Sequence, residues 1–245
     1  MRLVRYIADG RTFSGHIDGE TVVADGARRS LDAVRLLVPC TPSKIIGVGR
    51  NYAEHAAEMN NPLPKEPLLF FKPPSALLDP GGDIIYPEQS SDVQYEGELA
   101  VVIAKRCRNV SRSAALDFVL GYTICNDVTA RDLQSRDGQW ARAKGFDTFA
   151  PLGPCIATQL DPAALRVRTH LNGALTQDCS VSKLIFDVPT LIEYASAAFT
   201  LEPGDVITTG TPSGVGPMEP GDVVTVAIEG IGELTNRVVS GRQRV

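Results

Sequence analysis

The opening residues, MRLVRYIADG, mix apolar and polar positions at strand-like spacing and reach an Asp-Gly step within ten residues. Further Asp-Gly steps follow at Asp18-Gly19 and Asp25-Gly26. This dipeptide accepts the positive φ angles of tight hairpin turns, so the first 26 residues or so are expected to form a small β-meander. Residues 30–38 have the spacing of a short helix, and Pro39-Cys40-Thr41-Pro42 breaks it. These features predict a small N-terminal β domain over 1–40 and a second domain over 41–245. In the second domain, runs rich in β-branched and aliphatic residues predict strands at 44–48, 68–72, 84–86, 94–104, 121–127, 153–158 and 165–171. Asn172-Gly173 then turns the chain back through 174–178. Helical spacing is sparser and falls at 52–59, 113–118, 129–136 and 189–199. Because strands and helices do not alternate regularly, the pattern predicts a β-rich α+β fold rather than a doubly wound parallel sheet. The segment Glu202-Pro203-Gly204-Asp205-Val206 is echoed at Glu219-Pro220-Gly221-Asp222-Val223, which reads as shared turn chemistry rather than a repeat.

Composition narrows the function classes. The 245 residues are 43% hydrophobic and 22% charged, enough to bury a real core. A net charge of -5 argues against a nucleic-acid partner, which requires a basic footprint. The five cysteines are scattered without a C-x-x-C pair. They suggest a reduced compartment and receive no role here. No apolar run approaches the ~20 residues of a membrane span, and the N-terminus lacks the apolar core of a secretory signal. The expectation is a cytoplasmic protein with no membrane partner.

Three segments carry candidate chemistry. In Tyr95-Glu96-Gly97-Glu98-Leu99, strand alternation aims Glu96 and Glu98 at the same face. Two like charges so placed call either for a solvated face or for a compensating cation. Asn126-Asp127-Val128-Thr129-Ala130-Arg131-Asp132-Leu133-Gln134 ends an apolar run with a carboxylate and opens a polar helix with Arg131 and Gln134 on one face. Asp127 can serve as the N-cap of that helix. It can equally join Glu96 and Glu98 as a third hard oxygen ligand, a set suited to Mg²⁺ or Mn²⁺. The third segment, Gly47-Val48-Gly49-Arg50-Asn51-Tyr52, lacks the last glycine of a dinucleotide fingerprint. It leads to His55, one of only three histidines, with Glu58 one helical turn beyond. That pair is either an exposed i, i+3 contact or a general base oriented by a carboxylate. Lys144-Gly145-Phe146-Asp147-Thr148 offers a cation to an anionic ligand, and Gly210-Thr211-Pro212-Ser213-Gly214 is a glycine-rich turn without the ending of a P-loop.

Taken in order, G-x-G-R-N-Y-x-x-H-x-x-E, Y-E-x-E-L, N-D-x-x-A-R-D-x-Q, K-x-F-D-T and G-T-P-x-G-V-G span Gly47 to Gly216. This succession resembles the fumarylacetoacetate hydrolase superfamily over roughly the last 200 residues. The resemblance implies a mixed β-roll core and a homodimer. It also implies one divalent metal, Mg²⁺ or Mn²⁺ (or Ca²⁺ in crystals), held by Glu96, Glu98 and Asp127. By the same resemblance His55, Glu58 and Lys144 are catalytic, and Arg50, Asn51, Arg131, Gln134, Thr148 and Thr211 bind the substrate. The founding enzyme has a further acidic ligand upstream of the histidine, whereas residues 48–51 here contain none. That places the chain with the shorter subfamily of acylpyruvate hydrolases, oxaloacetate decarboxylases and hydroxyhepta-dienedioate isomerases.

The activity expected from the resemblance is metal-dependent hydrolysis of a C–C bond in a 2,4-dioxo acid of the acylpyruvate or fumarylpyruvate type. Oxaloacetate-type decarboxylation and dienedioate isomerisation in aromatic catabolism are the alternatives within the family. A catalytically silent binding protein of the same fold would keep the acidic triad and lose the base, and the presence of both His55 and Glu58 counts against it. The Pro-rich stretch 56–67 is expected to form a lid that carries side-chain selectivity.

Overall fold

The computed structural model describes residues 1–59 and 62–241. Asn60 and Asn61, within the stretch expected to form the lid, lie outside the described residues. A twelve-stranded mixed sheet dominates the architecture. Its path runs from the N-terminal hairpins through Arg2–Ala8, Ala150–Ala157, Val119–Asn126, Gly97–Ile103, Val206–Thr208 and Ile45–Gly49 to an edge at Leu68–Lys72. A second sheet of five strands (Asp83–Tyr86, Arg166–Leu171, Ala174–Ser180, Val223–Ile228 and Gly232–Ser240) packs against its face. A three-stranded ribbon of Val93–Tyr95, Thr129–Ala130 and Gly216–Pro217 shares a core with Ile84, Val224 and Val238 of the second sheet through Val93, Tyr95 and Ala130. The β-rich α+β fold expected from the sequence is the fold observed.

The strand Gly97–Ile103 is buried on both faces. Leu99, Val101 and Ile103 join the core shared with the second sheet and with the helix Val188–Ala198. Ala100 and Val102 pack on the opposite side with Ile45, Cys125 and Leu152. This double burial explains why the segment reads as a continuous apolar run rather than an alternating one. Each fully buried aliphatic side chain there contributes roughly 1.5–3 kcal/mol of transfer free energy, so displacing this strand would be costly.

The structure corrects two expectations of local structure. Residues 30–38 form no helix beyond a single 3-10 turn, Leu31–Ala33. The strand Arg35–Leu37 follows and pairs with Arg5, Tyr6 and Ile7. The first strand pairs with Ala150–Ala157 only at Arg2 and Leu3, so the backbone of residues 5–7 needs a second partner and the 35–37 segment supplies it. The single strand expected over 94–104 is broken at Glu96 into Val93–Tyr95 and Gly97–Ile103, which enter different sheets. The two E-P-G-D segments form the same turn. Asp205 and Asp222 each accept, through a carboxylate oxygen, the backbone N–H three residues upstream, at 2.8 and 2.7 Å. Their shared origin is therefore turn chemistry, as the sequence suggested.

Candidate functional site

Glu96 and Glu98 lie on either side of the strand break, and Asp127 follows the end of Val119–Asn126, which pairs with Gly97–Ile103. The break is held by two hydrogen bonds. The Glu96 N–H donates to Asn126 Oδ1 at 2.9 Å, and the Asp127 N–H donates to the Glu96 carbonyl at 2.8 Å. Gly97, between the glutamates, faces the second sheet. A Cβ at this position would come within 2.2 Å of Thr169 Oγ1, so only glycine allows the sheets to approach. The Gly97 N–H donates to Gln177 Oε1 at 3.0 Å.

The three carboxylates are buried, and one oxygen from each can be chosen so that all lie within 4.8 Å of one another. Two of them already have cationic partners. Lys144 Nζ donates to Glu96 Oε2 at 2.8 Å and to Asp127 Oδ2 at 2.6 Å, Lys72 Nζ donates to Asp127 Oδ1 at 2.6 Å, and Arg131 bridges to Glu96 Oε1. Glu98 has no lysine or arginine partner among the described residues and accepts the Gly210 N–H at 2.8 Å. Burial pushes the Glu98 carboxyl well above its ordinary range, and the Asp127 and Glu96 charges add to the effect. Burial also disfavours the Glu96 anion, but Lys144 and Arg131 more than offset it, so Glu96 is held well below its ordinary range. Burial lowers Lys72 despite its bond to Asp127, whereas Asp127 and Glu96 outweigh burial at Lys144 and hold its pKa raised. Three hard oxygen donors, one of them lacking a counter-charge, fit a small divalent cation.

Facing the carboxylates across the same cavity is His55, on the six-residue helix Ala53–Glu58. His55 Nδ1 lies 3.1 Å from Glu58 Oε2. An ionised carboxylate only accepts, so this contact assigns the proton to Nδ1 and leaves Nε2 as the free basic nitrogen. Glu58 Oε1 in turn accepts the Gly214 N–H at 3.0 Å, which ties the helix to the 210–216 loop. Gly214 sits at φ +95°, and a Cβ there would lie 2.1 Å from the Thr176 carbonyl oxygen, so glycine is required.

The cavity, about 50 Å³, brings together Arg50, His55, Glu96, Glu98, Asp127, Arg131, Gln134, Lys144 and Thr211. Arg131 is committed to protein groups. It donates to Gln94 Oε1 at 3.0 Å and to Gln134 Oε1 at 2.6 Å, besides its bridge to Glu96. Because Gln134 Oε1 accepts from Arg131, the Gln134 NH₂ group is left to donate into the cavity. Two expected substrate ligands stand outside the cavity lining. The Asn51 amide donates to the Phe186 and Thr209 carbonyls and accepts the Phe186 N–H, at 2.8–3.0 Å, which leaves it holding loops together. Thr148 accepts the Ile85 N–H at 2.9 Å through its hydroxyl. The sequence reading missed Lys72 and Gln177. Lys72 ends the apolar run Leu68-Leu69-Phe70-Phe71 just before Pro73, and a lysine in such a place was the available signal. It also missed the short helix Ala141–Gly145, which carries Lys144.

The fold and the site define a family. Residues 44–239 match the model of the fumarylacetoacetate (FAA) hydrolase C-terminal domain, and the chain belongs to this family of enzymes. It is 55% identical over 239 residues to an uncharacterized protein of Archaeoglobus fulgidus, covering 97% of this chain and 96% of the relative. Among solved structures it is similar to 5-carboxymethyl-2-hydroxymuconate delta-isomerase from Mycobacterium smegmatis, at 48% identity and a TM-score of 0.93 over 98% of this chain and 99% of that one. It is also 46% identical over 189 residues to the mitochondrial oxaloacetate tautomerase fahd2 of Xenopus laevis, covering 75% of this chain and 59% of the relative. No helix among the described residues is long and apolar enough to cross a membrane.

Proposed function

We propose that the protein is a divalent-metal-dependent enzyme acting on 2-oxo acids, and that its central step removes a proton next to the carbonyl to form an enolate. The observation that carries this reading is the placement of the buried Glu96–Glu98–Asp127 set and the His55–Glu58 pair on one cavity. A Mg²⁺ or Mn²⁺ ion held by the three carboxylates would supply Lewis-acid polarisation of the substrate carbonyl. His55 Nε2 receives the proton, and Glu58 stabilises the imidazolium that results. Lys144 has one N–H left after serving Glu96 and Asp127, and with the Gln134 amide it meets the negative charge on the substrate oxygen.

Return of the proton from His55 to a different atom gives isomerisation or tautomerisation. The Mycobacterium smegmatis relative, named an isomerase, and the Xenopus relative, named a tautomerase, favour this outcome. Hydrolysis of a 2,4-dioxo acid is the second reading, supported by a histidine base able to take a proton from water. The hydroxide formed adds to the distal carbonyl, and the C3–C4 bond breaks to give a carboxylic acid and the enolate of the 2-oxo acid. Decarboxylation of oxaloacetate would use the same enolate without water attack. The homodimer is part of the proposal and is read by light scattering.

The test is a substrate panel on EDTA-stripped protein, with and without Mg²⁺ or Mn²⁺. The panel contains acylpyruvates, fumarylpyruvate, oxaloacetate in its enol and keto forms, and a hydroxy-dienedioate. Turnover that returns only with metal is the expected result, and the product names the reaction. Folded protein whose melting temperature rises with Mn²⁺ but which turns over nothing on the panel would replace the enzyme reading with a binding protein.

A further inference from the structure

Lys72 is a buried charge that the proposed reaction leaves unused. It is 1% exposed and lies outside the residues that line the reaction cavity. Its Nζ donates to Asp127 Oδ1 at 2.6 Å and to the Val128 carbonyl at 3.1 Å, so bonds to two successive residues fix the ammonium on one side of the Asp127 carboxylate. The backbone behind it is fixed as well, because Lys72 ends the edge strand Leu68–Lys72 in register with Ile45, and Pro73 follows. Burying an ammonium is costly even when it is paired, so its place behind Asp127 calls for an account beyond packing.

The other two carboxylates share the arrangement. Arg131 holds Glu96 Oε1, and the Gly210 N–H donates to Glu98 Oε2 at 2.8 Å. Each carboxylate thus has one oxygen engaged by a fixed donor of the chain. The second oxygens of Glu96 and Asp127, Oε2 and Oδ2, converge on Lys144 Nζ. Three single oxygens supply half of an octahedral shell and leave the rest to water and substrate, which suits Mg²⁺ and Mn²⁺. Ca²⁺ takes about six to eight oxygens at longer distances and commonly reaches that number by chelation with both oxygens of a carboxylate. An ammonium bonded to Asp127 Oδ1 opposes such chelation through its N–H and its charge.

We propose that Lys72 is a positioning residue that limits Asp127 to one oxygen toward the cation and thereby sets a preference for Mg²⁺ over Ca²⁺. This rests on the divalent-metal reading above and deepens it. Arg131 and the Gly210 N–H act in the same sense on the glutamates. Arg131 also borders the cavity, however, and the Gly210 donor is backbone. Lys72 is therefore the position where the hold on a ligand can be released without altering the lining of the reacting space.

The experiment loads EDTA-stripped protein with Mn²⁺, follows the free ion by its EPR signal, and displaces the bound ion with Mg²⁺ or with Ca²⁺, with no substrate present. The readout is the ratio of the two displacement constants. Wild-type protein is expected to bind Mg²⁺ at least as tightly as Ca²⁺. Lys72→Met, which keeps an unbranched apolar stem and removes the ammonium, should move the ratio toward Ca²⁺ by about 10-fold, the lower end of the range for losing a partner of a ligating group. Removal of one positive charge acts on both divalent ions alike and cancels in the ratio, as does a general loosening of the wall. Lys72→Arg, which keeps a charged donor, should lie nearer to wild type than Lys72→Met. A wild type that prefers Ca²⁺, a measurement that needs no variant to fold, would overturn the assignment and leave the metal reading standing. An unmoved ratio in folded Lys72→Met would do the same. Wild-type protein that takes up no Mn²⁺ would overturn both.

Discussion

The two walls of the reaction cavity rest on different scaffolds. The carboxylate wall grows from Gly97–Ile103 and Val119–Asn126, adjacent strands in the middle of the large sheet, and its side chains are braced by Lys72, Lys144 and Arg131. The base wall is the six-residue helix Ala53–Glu58, which has no side-chain N-cap and is far shorter than a helix that persists alone. Its side-chain ties are Glu58 to the Gly214 N–H and an exposed ion pair from Lys183 to Glu54. An exposed pair of this kind contributes little. The carboxylates are thus braced on the sheet, whereas the proposed proton-transfer group sits on a short helix whose side-chain ties to the rest of the chain are few.

The largest effect is expected at Glu98. Glu98→Gln removes a ligand and should lower metal-dependent turnover by at least about 10³-fold, corresponding to several kcal/mol of lost electrostatic stabilisation. The same change removes a buried carboxylate with no cationic partner, so the metal-free protein should melt at a higher temperature than wild type. Melting curves with and without Mg²⁺ check both halves. A variant whose melting temperature still climbs on adding Mg²⁺ would break the assignment of the carboxylate wall.

On the opposite wall the signature inverts. His55→Gln should cost about 10²–10⁴-fold in kcat, the usual range for a general base, while the metal-induced rise in melting temperature persists. Loss of that rise would mean that the two walls are not separate devices. Glu58→Gln refines the comparison. The new amide can still accept the Gly214 N–H through its oxygen, so the helix stays tied, but its NH₂ group now donates to His55 Nδ1. The histidine proton is thereby moved to Nε2 and the base is blocked. A fall in kcat of roughly 10²-fold with little change in melting temperature is expected, and ¹⁵N shifts of the imidazole report the tautomer directly.

The two walls were also unequally legible in the sequence. Alternation placed Glu96 and Glu98 on one face but left a solvated face open, Asp127 could equally cap its helix, and the resemblance was what joined the three as a ligand set. His55 and Glu58 needed only helical spacing to be paired. What could not be read locally was the bracing. Lys72 meets Asp127 across 55 positions of sequence, and that contact depends on the parallel pairing of Ile45–Gly49 with Val206–Thr208, which no local pattern encodes. The strand break at Glu96 was hidden for a similar reason. It arises because Val93–Tyr95 finds partners in the ribbon while Gly97–Ile103 finds them in the large sheet. The strand at 35–37 likewise owes its form to an unpaired stretch of backbone thirty residues earlier, which outweighed a local helical spacing.

The smallest effect, and the one that tests whether the walls communicate, is at Gln177. Its amide orientation is fixed by backbone groups: Oε1 accepts the Gly97 N–H at 3.0 Å, so Nε2 donates to Thr211 Oγ1 at 2.8 Å and to the Pro212 carbonyl at 2.9 Å. Thr211, already accepting from Gln177, donates to the Gly97 carbonyl at 3.1 Å. This one buried side chain therefore links the glycine between two carboxylate ligands to the loop that also ties down Glu58. Gln177→Leu leaves those backbone groups unpaired and should cost about 2 kcal/mol of stability. If the link also sets the spacing between the walls, kcat at saturating metal should fall about tenfold, equivalent to ~1.4 kcal/mol, while Mg²⁺ still raises the melting temperature. A variant that loses stability but keeps kcat would confine Gln177 to packing and leave the walls joined only through the Glu58–Gly214 contact.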